Sequence, residues 1–146
     1  MEPIDNDTIF IEMVINAPVQ DAWKAWTKPE LILKWFGSDP NGKGLNASLD
    51  VRVGGRYEIA FENSDQTGHS CSGVYLEVNE PAKLVFDWEW KSEPGVISIV
   101  SVLFASDGCH TRMRFEHAHV GNESAHNYDN GWRGAFLKLE QLLKAI

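Results

Sequence analysis

Apolar and polar side chains alternate over Thr8–Ile15, and this period of two predicts a β-strand. The apolar residues then recur at helical spacing over residues 18–27 and again over residues 29–36. Pro18 and Pro29 stand at the starts of these segments, where a helix tolerates a residue without an N–H group. The pattern therefore predicts two short amphipathic helices after the first strand.

Beyond an expected loop at residues 38–44, the period of two returns and is interrupted at intervals by turn residues. This pattern predicts an antiparallel run of six strands over residues 49–53, 57–61, 69–79, 82–90, 96–104 and 111–117. In the strand over residues 82–90, four large apolar groups fall on one face, namely Leu84, Phe86, Trp88 and Trp90. Such a face needs a cover.

Helical spacing resumes from Asn122 to the end of the chain, with Asn122 or Ser124 as the expected N-cap. The predicted helix carries one apolar stripe, made of Tyr128, Trp132, Phe136, Leu139, Leu143 and Ile146. A long helix with one apolar stripe is the expected cover for the apolar face of the sheet.

The predicted order is one strand, two short helices, six antiparallel strands and a long C-terminal helix, which indicates an α+β fold. Six Trp, seven Phe and three Tyr are a heavy aromatic load for 146 residues. A curved, aromatic-rich sheet around a helix often cannot fill its own interior, and small molecules bind in such interiors. The sequence thus favours a protein that encloses a cavity.

The composition describes one acidic globular domain over residues 1–146, with 13 Lys and Arg against 21 Asp and Glu and a net charge of −8. An acidic chain without clustered Lys and Arg cannot meet a phosphate backbone favourably, so we expect no nucleic-acid partner. The chain shows neither the pattern of a secretory signal nor an apolar stretch long enough to span a bilayer. We therefore expect a cytoplasmic protein that does not enter a membrane.

Two cysteines, Cys71 and Cys109, are too few for a domain stapled by disulfides. In a reducing compartment both are expected to be free thiols. We expect them to be buried strand residues rather than a redox pair.

Several segments carry a more specific signal when they are taken together. They are Asn16–Pro18 (NAP), Trp23–Leu31 (WKAWTKPEL), Lys34–Gly37 (KWFG), Asp50–Tyr57 (DVRVGGRY), Gly73–Trp88 (GVYLEVNEPAKLVFDW), and the Gly131-Trp132 pair with Leu137, Leu139, Leu142 and Leu143. In this order they resemble the domains of the activator of heat-shock protein 90 ATPase homologue family.

The resemblance extends from about Ile9 to Leu143 and implies a START-like, Bet v 1-like helix-grip fold within the SRPBCC superfamily. It implies no single activity. Members include co-chaperones, in which a second, N-terminal domain does much of the chaperone binding, and single-domain bacterial proteins. A chain of this length has no room for that second domain, so we expect a stand-alone pocket protein.

The cavity is expected between the sheet and the C-terminal helix. The expected lining residues are Tyr57, Phe61, Tyr75, Phe86, Trp88, Met113, Phe115, His117, Trp132 and Phe136. Core packing explains any one of them, and the cavity is inferred from the set together with the fold. Within the set, His117 and Tyr75 are the polar groups expected to orient a ligand. Gly131 and Gly134 each cost the helix about 1 kcal/mol relative to Ala, which indicates a close approach to a strand or room for a ligand.

His117 and His119 fall on one strand face, with His126 and Asp129 nearby, and these side chains could in principle hold a transition metal. Such strand pairs are common without metal and the spacing fixes no third ligand, so we expect no metal site. His117 could also serve as an acid or base, but a hydrogen-bonded core histidine is the simpler interpretation. No nucleophile elbow, phosphate loop or dinucleotide fingerprint occurs, so we expect no catalytic residue and no cofactor.

We therefore expect a non-catalytic protein that binds a small hydrophobic or amphipathic ligand through apolar burial. Two alternatives stay open at this point: a co-chaperone-like module that acts on a heat-shock protein 90 ATPase, and a cyclase or lyase-type enzyme with an inward His or Tyr. The expected state is a monomer or a weak homodimer, since exposed edge strands permit association without requiring it.

Overall fold

A computed structural model describes residues 8–118 and 128–144 of the chain. In chain order its elements are β1 (Ile9–Ile15), α1 (Val19–Thr27), α2 (Pro29–Ile32), β2 (Lys43–Leu49), β3 (Arg56–Glu62), β4 (Gly68–Asn79), β5 (Lys83–Trp90), β6 (Ile97–Asp107), β7 (His110–Ala118) and α3 (Tyr128–Lys144). The predicted α+β order is confirmed, whereas the expected N-cap, Asn122 or Ser124, lies outside the described residues. None of the described helices is long and apolar enough to cross a membrane.

The seven strands form one antiparallel sheet in the order β1-β7-β6-β5-β4-β3-β2. From β2 to β7 each strand pairs with the next one along the chain. β1 instead pairs with β7, and Met13 lies opposite Met113 in that ladder. This pairing brings α1, which follows β1, close to α3, so that the rings of Trp26 and Trp132 lie 6.2 Å apart.

The sheet has one buried face, and β5 shows it most clearly. Leu84, Phe86, Trp88 and Trp90 are buried, whereas the residues between them are only partly covered. This alternation confirms the prediction that the four large apolar groups share one face. The helices lie on that face, since Trp26 of α1 packs against Phe86 with ring centroids 6.3 Å apart.

The apolar stripe of α3 completes the core on the same side of the sheet. Its buried members are Trp132, Phe136, Leu139 and Leu143. This confirms the predicted stripe over the described part of α3. The side chain of Tyr128 and all of Ile146 lie outside the described residues.

The first strand of the antiparallel run begins earlier than predicted. β2 covers Lys43–Leu49, whereas the sequence predicts a loop over residues 38–44 and a strand over residues 49–53. Residues 50–55 instead form the turn into β3, in which the Gly55 amide donates to the carbonyl of Arg52 at 2.8 Å. The prediction fails because apolar alternation continues into the turn, and alternation alone does not reveal where the backbone hydrogen bonds go.

The second helix is shorter than predicted. α2 covers Pro29–Ile32, and residues 33–35 continue as turns. Trp35 donates its indole N–H to the carbonyl of Ala25 in α1 at 2.9 Å. This bond holds Trp35 in the core against α1.

Both cysteines are free, as predicted, but only one is buried. Cys71 lies in β4, whereas Cys109 is exposed in the turn between β6 and β7. The expectation of two buried strand residues is therefore wrong for Cys109. Cys109 lies in the turn because Gly108, the residue before it, adopts a positive φ of 67° and reverses the direction of the chain.

Gly134 allows α3 to approach the loop that follows α2. A Cβ at this position would lie 2.6 Å from the carbonyl oxygen of Ser38, closer than real side chains come. One turn later, Nζ of Lys138 donates to the carbonyl of Asp39 at 2.9 Å. The close approach expected of the helix glycines is thus present at Gly134, although its partner is a loop rather than a strand. At Gly131, no atom of the described residues lies within 4 Å of such a Cβ.

Replacement of each glycine by alanine tests this contact. Gly131→Ala should raise the free energy of unfolding by about 0.5–1 kcal/mol, because Ala is the better helix former. Gly134→Ala should lower it by about 1–3 kcal/mol, because the added methyl group must displace the Ser38 backbone or the helix. Urea unfolding followed by circular dichroism measures both values. Since the two variants relieve the same helix penalty, equal stabilisation by both would show that the helix-to-loop contact is not tight.

Candidate functional site

The ten residues predicted to line a cavity are all buried in the core between the sheet and the helices. None of them is more than 6% exposed. They are Tyr57, Phe61, Tyr75, Phe86, Trp88, Met113, Phe115, His117, Trp132 and Phe136. Nine of them belong to one continuous apolar core, contributed by β3, β4, β5, β7 and α3, and the tenth, His117, is a buried polar residue that lies 5.5 Å from Trp88 between ring centroids. That they contact a ligand stays a prediction.

The ring of Trp132 lies within a cluster of aromatic side chains from the sheet and from both long helices. Phe115 and Phe136 lie 4.6 and 5.6 Å from it, measured between ring centroids. Trp88 of β5 lies at 5.2 Å and Trp26 of α1 at 6.2 Å. Aromatic rings of the protein itself therefore occupy much of the space between the sheet and α3.

A second cluster borders a small gap in the core. Tyr57, Tyr75 and Phe86 lie with their ring centroids 5.2 to 6.0 Å apart. The gap beside them measures about 10 Å³, roughly the space that one water molecule requires. Its lining residues are Trp26, Ile32, Phe36, Tyr57, Ile59, Tyr75 and Phe86.

Three of the ten predicted residues, Tyr57, Tyr75 and Phe86, thus border this gap. Trp26 and Phe36 also border it, although the sequence did not predict them as lining residues. Helical spacing places both on a buried face, but it does not reveal which part of the sheet that face meets.

The two remaining apolar residues of the predicted set lie beside other neighbours. Phe61 packs against Phe36 and Trp90, with ring centroids 5.6 and 6.0 Å apart. Met113 lies opposite Phe104 of β6 in the sheet ladder. The predicted set is therefore one core, of which only part borders the gap.

A chain of two hydrogen bonds crosses the core at His117. Nε2 of His117 lies 2.6 Å from Oγ of Ser98 in β6. Nε1 of Trp132 in α3 donates to Nδ1 of the same ring at 2.9 Å. All three side chains are buried. These contacts tie α3 to the two strands beneath it through polar atoms.

Indole chemistry determines the direction of both bonds. An indole nitrogen can only donate, so Nδ1 of His117 is unprotonated and accepts from Trp132. In the neutral ring the proton then lies on Nε2, which donates to Oγ of Ser98. Burial lowers the pKa of His117 to about 3, so the ring is neutral near pH 7.

This tautomer is the reverse of the one that activates a serine. A histidine that serves as the base must accept the hydroxyl proton on an unprotonated nitrogen. Here the nitrogen that faces Ser98 carries the proton, and the lone pair on the other nitrogen is engaged by Trp132. The bonds therefore orient Trp132 rather than activate Ser98.

Ser98 is the member of this chain that sequence reasoning missed. It stands on the inward side of β6, in line with the buried residues Val100, Val102 and Phe104. A single hydroxyl on an otherwise apolar inner face requires a partner, because buried polar groups are nearly always hydrogen-bonded. That break in the apolar pattern is the signal that could have identified it.

Two buried indole N–H groups have no hydrogen-bond partner among residues 8–118 and 128–144. They belong to Trp26 and Trp88, whose exposed fractions are 1% and 2%. A buried donor without a partner costs about 1–3 kcal/mol. Since both rings contact Trp132, the two donors lie in the same region of the core as the His117 bonds.

The two tyrosines beside the gap are neutral near pH 7. Tyr57 donates its hydroxyl to the carbonyl of Asp87 at 2.6 Å, and burial raises the pKa of its phenol well above the ordinary value. Burial also raises the pKa of Tyr75, and the nearby Asp50 carboxylate adds to that effect. Neither phenol therefore supplies a base. That Tyr75 orients a ligand stays a prediction.

Within the described part of the chain, no three His, Cys, Asp or Glu side chains lie close enough together to hold a metal ion. His119 and His126, which the sequence places near His117 and Asp129, lie outside the described residues. Both ring nitrogens of His117 are already engaged in hydrogen bonds, which leaves no lone pair for a metal.

The sequence matches the profile of a known protein family. The sequence profile of the family described as "Activator of Hsp90 ATPase homolog 1-like protein" matches residues 16–144. No curated protein matches the chain.

Several solved structures share the fold along nearly the whole chain. A protein from Nitrosomonas europaea is 24% identical, with a TM-score of 0.81 and 99% of each chain covered. A protein from Chromobacterium violaceum is 21% identical, with a TM-score of 0.83, 94% of this chain covered and 97% of the other. An AHSA1-like protein from Aeromonas hydrophila is 24% identical, with a TM-score of 0.78 and coverages of 94% and 92%. At these identities the likeness establishes the fold.

The buried neutral His117 makes stability depend on pH. The unfolded chain takes up a proton near the ordinary histidine pKa of 6.5, whereas the folded chain takes it up only near pH 3. Between these values the unfolded state binds more protons, so the free energy of unfolding falls as the pH falls, by at most about 1.4 kcal/mol per pH unit. His117→Gln should flatten this dependence, because an amide offers the same donor and acceptor without titrating. Urea unfolding at pH 7, 5.5 and 4.5 measures the difference.

A long-range ¹⁵N–¹H spectrum of the imidazole groups provides a second readout. His117 should show the neutral tautomer with the proton on Nε2 at pH 7 and at pH 5. Parallel stability curves for the two proteins, or a proton on Nδ1, would contradict the assigned direction of the bonds.

Proposed function

The chain belongs to the Activator of Hsp90 ATPase homolog 1-like family, and from that premise we propose that it binds a small hydrophobic or amphipathic molecule without transforming it. The binding region is the core between the curved sheet and the helices, from the gap beside Phe86 to the ring of Trp132, and Trp26 packs against both of these residues. The fold supports this location, because the space between a curved sheet and its covering helix is where small molecules bind in such architectures.

The observation that carries the proposal is the set of polar atoms in this region. Ser98, His117 and Trp132 form a hydrogen-bonded chain in the core, and the indole N–H groups of Trp26 and Trp88 have no partner in the described structure. A core that served stability alone would favour apolar side chains of similar shape at these positions. Local violations of this kind are expected at functional sites.

A ligand larger than water can enter this gap only if the rings that line it move, because the gap measures about 10 Å³. Phe36 and Phe86 both border the gap. Ring contacts with a ligand then replace ring contacts within the protein, which limits the favoured ligands to small, mainly apolar molecules.

The proposal is non-catalytic because of the tautomer of His117. This ring offers Ser98 a proton instead of a lone pair, and burial keeps the pKa of His117 at about 3. Tyr57 and Tyr75 have pKa values raised by burial. A cyclase or lyase that uses an inward His or Tyr as its base is therefore disfavoured.

We also propose a single domain over residues 1–146 in the cytoplasm, as a monomer or weak homodimer. The family match, which covers residues 16–144, supports one domain.

Native mass spectrometry of the freshly purified protein tests the ligand proposal. We expect a reproducible excess mass that is lost on denaturation. Phe86→Trp should lower the ligand-bound fraction by roughly fivefold or more, because the larger ring fills the gap and overpacking costs about 1–3 kcal/mol. Leu103→Trp is the matched control, since Leu103 is 40% exposed on the outer face of β6 and its replacement should leave the bound fraction unchanged.

Two results would count against the proposal. One is an apo mass together with no thermal shift on addition of small aromatic compounds. The other is an equal loss of ligand in both tryptophan variants, since that would place the bound molecule elsewhere.

A second candidate function is protein interaction at the outer face of the sheet. Phe10 and Val14 of the edge strand β1 are 53% and 50% exposed, and Leu103 adds a further exposed apolar group. Arg114 lies opposite both Glu12 and Leu103 in the ladders, with its guanidinium carbon 5.8 Å from the centroid of the Phe10 ring. Exposed apolar groups on an edge strand suit a protein partner, and the family name points to a heat-shock protein 90 chaperone.

This second function predicts that the purified protein stimulates the ATPase of a bacterial heat-shock protein 90. Phe10→Ser should reduce the stimulation several-fold, because it removes the largest apolar contact of the patch. Val53→Ser is the control, since Val53 is 64% exposed in the turn between β2 and β3. Unchanged ATPase activity at saturating concentrations of the protein would exclude this function.

A further inference from the structure

The buried polar atoms specify the chemistry of the proposed ligand. We infer that its buried polar group is a neutral hydrogen-bond acceptor, such as the carbonyl oxygen of a ketone, ester or quinone, and that the indole N–H groups of Trp26 and Trp88 receive it. This inference rests on the proposed function, because it describes the molecule that the same core would bind.

The available groups are donors. An indole N–H donates and cannot accept, so Trp26 and Trp88 can be satisfied only by an acceptor. Oγ of Ser98 already accepts from His117, and its own hydroxyl hydrogen is a further donor. A ligand that brought another N–H or O–H donor as its only polar group would leave these atoms unsatisfied.

Several acceptors in the same core are engaged within the protein. Two buried hydrogen bonds run from Trp35 to the carbonyl of Ala25 and from Thr111 to that of Ala17, and a partly buried one runs from Tyr57 to that of Asp87. Nδ1 of His117 accepts from Trp132. At these acceptors a ligand donor would have to displace an existing hydrogen bond. A ligand acceptor would instead pair with the indole N–H groups of Trp26 and Trp88, which have no partner in the described structure.

The absence of buried cations makes a charged ligand group unfavourable. Among the described residues the buried polar or charged side chains are Ser98, Thr111 and His117. His117 is neutral near pH 7, and none of the described Lys and Arg side chains is buried. A carboxylate transferred into this region would lose its hydration without gaining an opposite charge, which is strongly unfavourable.

The indole rings of Trp26 and Trp88 share a neighbour, Trp132, which places both rings in one region of the core. Trp26 and Trp88 approach Trp132 to 6.2 and 5.2 Å between ring centroids, and Trp88 also lies 5.5 Å from His117. Phe36 contacts Trp88 at 5.7 Å and borders the gap together with Trp26. A small ligand beside Phe36 and Trp132 would thus have both indoles among its neighbours.

Three probes of nearly equal size test whether the core prefers a neutral acceptor, an apolar group or a charged group. Acetophenone carries a carbonyl oxygen, α-methylstyrene replaces that oxygen by a CH₂ group, and benzoate carries a charged carboxylate. Isothermal titration at pH 7.4 should show acetophenone binding roughly tenfold more tightly than α-methylstyrene, the ratio that one net hydrogen bond supplies. Benzoate should bind more weakly than either. The infrared carbonyl stretch of ¹³C-labelled acetophenone should shift to lower wavenumber on binding, relative to its value in hexane.

Two variants test whether the indole N–H groups of Trp26 and Trp88 donate to the carbonyl oxygen. The double variant Trp26→Phe, Trp88→Phe keeps two aromatic rings but removes both N–H groups. It should bind acetophenone and α-methylstyrene with about equal affinity, and the infrared shift should disappear. Trp35→Phe is the matched control, because the Trp35 N–H is already engaged by the carbonyl of Ala25. It removes an indole of the same core and should leave the preference at roughly tenfold.

The outcomes distinguish this inference from the function on which it rests. If acetophenone and α-methylstyrene bind with equal affinity and the carbonyl stretch does not shift, the acceptor inference is overturned and the ligand-binding function stands. If benzoate binds most tightly, the neutral character of the ligand is overturned. If none of the three probes binds, both the proposed function and this inference fail. The probe comparison and the infrared shift use the unaltered protein, so they decide the question even if a variant does not fold.

Discussion

The hydrogen bond from the indole of Trp132 to His117 determines how α3 sits on the sheet. Apolar contacts are not directional, so a helix held by them alone can rotate or slide over a sheet face. A buried hydrogen bond permits one orientation, because its strength falls steeply with distance and angle. With Trp132 held in this way, Phe136 reaches the ring cluster, and Gly134 meets the backbone of Ser38 on the other side.

The same core combines close packing with polar groups that packing alone does not require. Trp26 and Trp88 are nearly fully buried with unpaired N–H groups in the described structure, although phenylalanine would fill much of the same space without that cost. Ser98 and His117 are hydrogen-bonded to each other, and Trp132 donates to His117, so a change in one of these residues affects its partner. A tightly packed region that contains buried N–H donors without acceptors is suited to bind a small molecule that carries a hydrogen-bond acceptor.

Local patterns in the sequence predict much of the fold. The period of two over β3 to β7 and the helical stripe of α3 each arise because one side of the element is buried. Regularly spaced apolar residues, such as Leu84, Phe86 and Trp88 in β5, therefore reveal the element. The pattern fails at β2 and at Cys109, where turns decide the course of the backbone. In the turn after β2 the backbone hydrogen bond from Gly55 to Arg52 determines where the strand ends, and before Cys109 the positive φ of Gly108 determines where the chain turns.

The sequence by itself determined the α+β architecture, the family and the buried state of all ten candidate site residues. It indicated His117 as an inward polar group because that residue continues the buried side of a strand. Only the tertiary structure decided that Ser98 and Trp132 are its partners, which nitrogen carries the proton, and which rings border the gap. Residues far apart in the chain meet through the sheet and the placement of α3, and the periodicity of a single element carries no information about the angle at which two elements pack.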